Sequence, residues 1–182
     1  MKVLDLFAGL GGFSQGFKDR GHVVITLDND PKFGCTFTTD IKDFKGHCKY
    51  DVVLASPPCQ EFARMHLPWK RKLNPPGFKP DMSLVLEAKR VIEEINPRYW
   101  VLENTMPSLK YITPILGHWV KHVGSRYFWG NFPPIDTRKN ACGKAAMWPR
   151  KGVDRPALRA LIPYAVSRSL CIAIEYDMEM VK

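Results

Sequence analysis

An α/β fold with a mostly parallel, doubly wound sheet is predicted by two observations. Short apolar strands alternate with helical patterns along the chain, and the first strand runs directly into a glycine-rich turn that opens a helix. Lys2 to Phe7 reads as a buried strand, Ala8-Gly9-Leu10-Gly11-Gly12 as the tight turn, and Phe13 to about Arg20 as the helix. His22 to Leu27 forms a second strand that ends in the acidic cluster Asp28-Asn29-Asp30, where Pro31 blocks its continuation. Asp51 to Ala55 is a third, cut off by Pro57-Pro58. From Ser83 to Ile95 the residues Leu84, Ala88, Val91, Ile92 and Ile95 fall at helical spacing, and Asn96-Pro97 ends the helix before a strand from Tyr99 to Leu102. Residues 61–80, rich in Pro, Lys and Arg with Trp69 and Phe78 interspersed, read as a long loop. Residues 133–156 are similarly irregular and basic, and Ile162 to about Met180 returns to a helical pattern.

With 182 residues and no linker-like stretch, one domain over 1–182 is expected. No apolar run approaches the roughly 18 residues of a membrane span. Asp5 interrupts the short apolar start and no small-residue cleavage site follows, so the expectation is a soluble, cytoplasmic protein. Cys35, Cys48, Cys59, Cys142 and Cys171 lack the paired spacing of a disulfide framework or zinc site, so free thiols, mostly plain core residues, are expected. His118 and His122 are four apart without a completing acid or cysteine, which makes them surface or packing residues and leaves no metal set. The net charge is +9 and is uneven. Between Lys121 and Arg159 there are nine Lys or Arg against only Asp136 and Asp154, a balance that suits a polyanionic partner or, more simply, a solvated basic face.

In a doubly wound sheet the loops after Phe7, Leu27 and Ala55 converge at the carboxyl ends of the strands. The first carries Gly9, Gly11 and Gly12, which let backbone approach a ligand. The second carries Asp28, placed where an acid accepts hydrogen bonds from ribose hydroxyls, so a nucleoside-containing cofactor is implied. The third, Ser56-Pro57-Pro58-Cys59-Gln60, holds a cysteine on a proline-stiffened turn, and cysteine is the strongest protein nucleophile near neutral pH. Glu103-Asn104, at the end of its strand, brings a carboxyl group to the same crevice.

These residues resemble a known family. Asp5-Leu6-Phe7-Ala8-Gly9-Leu10-Gly11-Gly12-Phe13 is similar to the first motif of DNA (cytosine-5) methyltransferases, Pro58-Cys59-Gln60 to their Pro-Cys-Gln motif, and Glu103-Asn104 to their Glu-Asn motif, in the same order over roughly the first 105 residues. The resemblance implies a Rossmann-like, S-adenosylmethionine-dependent methyltransferase fold acting on double-stranded DNA. It implies Cys59 as covalent nucleophile and Glu103 as the group that binds the cytosine edge. Phe7, Ala8, Gly9, Leu10, Gly11, Gly12, Asp28, Asn29, Asp40, Ile41 and Pro57 become the cofactor residues, with Asp28 resembling the ribose-binding acid and Thr39-Asp40-Ile41 the adenine-contacting segment.

Beyond residue 105 the pattern departs. In place of a Gln-x-Arg-x-Arg motif stands Gly124-Ser125-Arg126-Tyr127-Phe128, so Arg126 takes the cytosine-contacting role while Lys121 to Phe132 also reads as an edge strand with one exposed arginine. Ile162-Pro163-Tyr164-Ala165-Val166-Ser167 stands where the family's closing motif would complete the cofactor pocket. The recognition segment, at about 121–160, is minimal. Its bases, with Lys70-Arg71-Lys72, suit phosphate contacts that position DNA without reading it, while Trp69 or Trp148 suits stacking or packing. A sequence-recognition partner or a homo-oligomer is a corollary. The alternatives are an RNA cytosine-5 enzyme, or a catalytically idle DNA-binding subunit that needs a partner. Methylation of cytosine N4 fits less well, because Cys59 stands where that chemistry places an aromatic residue after Ser-Pro-Pro.

Overall fold

The computed structural model describes residues 1–66, 77–136 and 155–181. Among these, seven strands form one sheet: β1 (Lys2–Leu6), β2 (Val23–Asp28), β3 (Phe37–Thr38), β4 (Val52–Ala55), β5 (Tyr99–Thr105), β6 (Lys121–Val123) and β7 (Arg126–Asn131). The helices are α1 (Gln15–Lys18), α2 (Gln60–His66), α3 (Ser83–Ile95), α4 (Leu109–Leu116), α5 (Arg155–Ala160) and α6 (Tyr164–Met180). The strand order is β3-β2-β1-β4-β5-β7-β6. Pairings from β3 through β5 are parallel, and β7 enters antiparallel to both β5 and β6. This is the mostly parallel, doubly wound α/β architecture that the alternation predicts, Rossmann-like in its strand order.

Strand periodicity sorts the core into two layers. Val3, Val52, Leu54, Tyr99, Val101 and Phe128 pack with Phe13 and Phe17 and with Val166, Leu170 and Ile174 of α6. Their neighbours Leu4, Val53, Ala55, Leu102 and Trp129 face the other way, onto Val85, Ala88 and Val91 of α3 and Ile112 of α4. Sheet faces covered on both sides explain why the parallel strands read as continuous apolar runs. The α3 helix ends where Asn96 turns left-handed (φ 47°) and Pro97 follows.

Several expected boundaries move. The first helix is one short turn, because the chain spends Gly9 to Ser14 building the loop in front of it. Gly16 lies so close to α6 that a Cβ there would sit 2.4 Å from the Arg168 nitrogen, and its own N–H donates to Ser167 Oγ at 2.8 Å. The segment read as a loop from 61 begins instead as α2, a correction set by Ala63 N–H donating to the Cys59 carbonyl at 2.9 Å and by Phe62 burying its ring. Residues 121–132 form a hairpin, not one edge strand, and turn at Gly124 (φ 60°). Trp69, Lys70-Arg71-Lys72, Cys142, Trp148 and residues 137–154 of the basic recognition segment lie outside the described residues. Cys171 is core, whereas Cys48 is exposed and so departs from the core expectation. His122 stacks on Tyr127 and His118 is exposed, as expected for packing and surface roles. No helix among the described residues is long and apolar enough to cross a membrane.

Candidate active site

The loops following β1, β2 and β4 meet at the carboxyl edge of the sheet, as the topology requires. At the end of β1, Phe7 takes a left-handed conformation (φ 59°), rare for an aromatic residue, and Ala8 N–H donates to the Leu27 carbonyl at 3.0 Å. Gly9 is also left-handed (φ 51°), has open space where a Cβ would stand, and donates its N–H to Asp28 Oδ2 at 2.9 Å. The other Asp28 oxygen accepts from Asp30 N–H at 3.0 Å, so the carboxylate is fixed in place with lone pairs still directed outward. Gly11 closes the turn by donating to the Ala8 carbonyl at 2.7 Å, and Gly12 abuts Leu161 and Ile162.

Beneath this loop Asp5 is fully buried. Ser14 donates to its Oδ2 at 2.6 Å, while Oδ1 has no partner. Burial drives its pKa up to about 7, against the pull of the Ser14 hydroxyl and the Lys18 charge.

A cavity of about 200 Å³ opens above the strand ends. Phe7 to Leu10, Gly12, Phe13, Asp28, Asn29 and Phe33 form one wall, and Ser56 to Gln60 with Glu103, Thr105 and Arg126 form the other. Leu161 and Ile162, ahead of α6, close it. A smaller hollow of about 50 Å³ shares Phe7, Asp28, Asn29 and Pro58 and is completed by Thr39, Asp40, Ile41 and Leu84.

The reactive wall is built by strand alternation. Because β5 runs on to Thr105, Glu103-Asn104 lies inside the strand, not after it, and the two side chains part to opposite faces. Glu103 faces the cavity. Asn104 reaches the other way and donates from Nδ2 to the Pro57 carbonyl at 3.0 Å, pinning the cysteine loop to the sheet. Arg126, the first residue of β7, pairs across from Thr105, donates from Nη1 to Glu103 Oε1 at 3.1 Å and from Nη2 to the Leu161 carbonyl at 2.9 Å. It therefore belongs to the cavity and is not the exposed arginine of an edge strand.

Burial raises the Glu103 carboxyl above its ordinary range, opposed by the charge and hydrogen bond of Arg126. Burial and then the Glu103 charge raise the Cys59 thiol, while the Thr105 hydroxyl, its own backbone and Arg126 pull it down. In the resting cavity the cysteine is held as a thiol beside a carboxyl group that favours its proton.

Residues 1–110 match the family model described as C-5 cytosine-specific DNA methylase. The chain belongs to this family. Among curated relatives it is 28% identical over 123 residues to the type II methyltransferase M1.HphI of Haemophilus parahaemolyticus, covering 57% of this chain and 32% of that protein. It is 27% identical over 148 residues to the type II methyltransferase M.DdeI of Desulfomicrobium norvegicum, covering 68% and 34%. The chain thus spans about a third of the length of these relatives. The solved structure of the Entamoeba histolytica methyltransferase EhMeth overlays 74% of this chain and 54% of its own at 16% identity, with a TM-score of 0.49.

In this cytosine-5 methylase family member the structure gathers Cys59, Glu103 and Arg126 around one cavity with Phe7, Ala8, Gly9, Leu10, Gly12, Asp28, Asn29 and Pro57. Asp40 and Ile41 line the adjoining hollow. Gly11 does not line either and serves the turn. Of the closing segment only Ile162 reaches the cavity; Tyr164 is exposed, and Ser167 ties α6 to the first loop through the Phe13 carbonyl at 2.6 Å. Sequence reasoning missed Phe33, Leu161, Thr105 and Leu84. Of these only Thr105 carried a signal, two residues beyond Glu103 on the same strand face.

Proposed function

We propose that the protein transfers a methyl group from S-adenosylmethionine to carbon 5 of cytosine in double-stranded DNA, with Cys59 as the covalent nucleophile. The observation that carries this reading is the convergence of Cys59, Glu103 and Arg126 on one cavity with the glycine loop and Asp28. The loop suits the cofactor: Gly9 leaves an open cradle where a side chain would intrude, and Asp28 keeps acceptor positions for ribose hydroxyls. Gly9, Leu10 and Gly12 would hold the amino-acid portion, Asp28 and Asn29 the ribose, and Asp40 and Ile41 the base. When bound, S-adenosylmethionine supplies an electrophilic methyl group on its sulfonium.

Carbon 5 of cytosine is a poor nucleophile until the 5,6 double bond is broken. The Cys59 thiol gives up its proton to solvent in the cavity, and the thiolate adds to carbon 6, forming the S–C bond while the π pair moves toward carbon 5 and N3. The Glu103 carboxyl, whose proton burial favours, donates to N3 and holds the developing negative charge, and Arg126 fixes that carboxyl in place. Carbon 5 is then nucleophilic and accepts the methyl. Loss of the carbon 5 proton to solvent in the cavity restores the double bond and expels Cys59 as thiolate, and the N3 proton returns to Glu103. A cytosine stacked in duplex must leave the helix to reach Cys59, at a cost of a few kcal/mol, and the chain's +9 charge favours the backbone contacts that offset it.

In the same reading the whole chain is one catalytic domain with a minimal recognition segment at about 121–160, so target choice is weak or supplied by a partner or second copy. Digestion of treated duplex DNA to nucleosides, with single-stranded and transfer RNA as parallel substrates, tests the proposal. 5-Methylcytosine in DNA is expected. N4-methylcytosine, or methyl transfer confined to RNA, would overturn the substrate or the chemistry.

A further inference from the structure

Thr105 is a cavity residue whose hydroxyl has no structural work. Its backbone is fully committed: the N–H donates to Asn104 Oδ1 at 2.8 Å, the carbonyl accepts from Ser108 Oγ at 2.8 Å, and the residue pairs across the ladder with Arg126. The Oγ1 atom is buried and forms no hydrogen bond of good geometry. It nevertheless stands close enough to Cys59 to draw the thiol's pKa down, against burial and Glu103. A buried hydroxyl without a partner is costly, roughly 1–3 kcal/mol, so its retention calls for a state in which it is used.

A thiol is a weak acceptor, whereas a thiolate is a strong one. The states in which Cys59 carries charge, just before it adds to a substrate and just after it leaves, are those in which this hydroxyl would gain a partner. We propose that Thr105 is a positioning residue that donates a hydrogen bond to the Cys59 thiolate, stabilising it and aiming the sulfur into the cavity. Strand alternation supports the assignment, since Glu103 and Thr105 share the cavity face of β5, and both line with Cys59 the same cavity from one rigid element. The inference rests on Cys59 being the nucleophile of the proposed function, but the hydrogen bond can be tested without any methyl transfer.

The experiment is the pH dependence of Cys59 alkylation by iodoacetamide in the full chain, with the adduct located by peptide mass spectrometry and Cys59→Ser as control. Thr105→Val keeps the β-branched shape that suits the strand and removes the donor. Its alkylation midpoint should rise by about one pH unit, the shift expected for one neutral donor to an ionised acceptor, so the rate below the midpoint falls about tenfold. Thr105→Ser should restore the wild-type midpoint, and Thr105→Ala should behave as Thr105→Val if valine disturbs folding. A midpoint unchanged in both Thr105→Val and Thr105→Ala, or not restored by serine, would overturn the proposal. Failure of DNA methylation with the midpoint shift intact would count against the proposed function alone.

Discussion

Asp5 makes stability depend on pH in a direction that can be calculated. Its carboxyl titrates at about 7 in the folded protein against an ordinary 3.8, so the native state holds the proton more tightly than the unfolded chain does. Stability from this group is intact below about pH 3.8, declines as pH rises through the interval to about 7, and then levels off. The full span corresponds to about 4 kcal/mol, of which more than half, roughly 3 kcal/mol, falls between pH 5 and pH 8. Asp5→Asn removes the titration while leaving an oxygen to accept from Ser14. Urea unfolding of both proteins at the two pH values isolates the effect, because Glu103 and the cysteines titrate alike in each. The stability difference, variant minus wild type, should grow by roughly 3 kcal/mol from pH 5 to pH 8, whatever its absolute value. Parallel pH profiles would show that Asp5 does not change its protonation on unfolding, and would refute the burial argument.

Gly16→Ala should destabilise by at least about 2 kcal/mol and lower Tm by about 5 °C in a thermal scan, since its Cβ would meet Arg168 backbone, which cannot yield as a side-chain tip can. Asn104→Ala frees the Pro57 carbonyl and the cysteine loop. Single-turnover methyl transfer should slow while cofactor affinity, measured by calorimetry, changes by less than about threefold. Glu103→Gln removes the charge that, after burial, raises the Cys59 pKa. The alkylation midpoint of Cys59 should therefore fall even as methyl transfer drops about 100-fold or more.

The legible half of the site was the half written in contiguous residues. A strand, a glycine turn and an acid at the next strand end appear within the first 28 positions, and the Pro57-Pro58-Cys59 turn carries its own stiffness. Less legible were relations set by register. The sequence places Glu103 after its strand because Glu and Asn have weak strand preference, yet pairing with Phe128 and Tyr127 of β7 overrides that preference and carries β5 on to Thr105. The hairpin that delivers Arg126 has a turn signal in Gly124-Ser125, flanked by short apolar and aromatic runs that also read as one continuous strand. Phe33, Leu84 and Leu161 reach the cavities only through packing between distant segments, which no local pattern records.

The central claim is that Cys59 attacks carbon 6 of a cytosine whose carbon 5 is then methylated. Incubating the protein with radiolabelled S-adenosylmethionine and duplex DNA containing 5-fluorocytosine tests it most directly, since fluorine cannot leave as a proton does and the adduct is trapped. A labelled protein–DNA band on a denaturing gel, absent with Cys59→Ala, is the predicted result. Cofactor binding without any adduct, or an adduct that survives Cys59→Ala, would contradict the account.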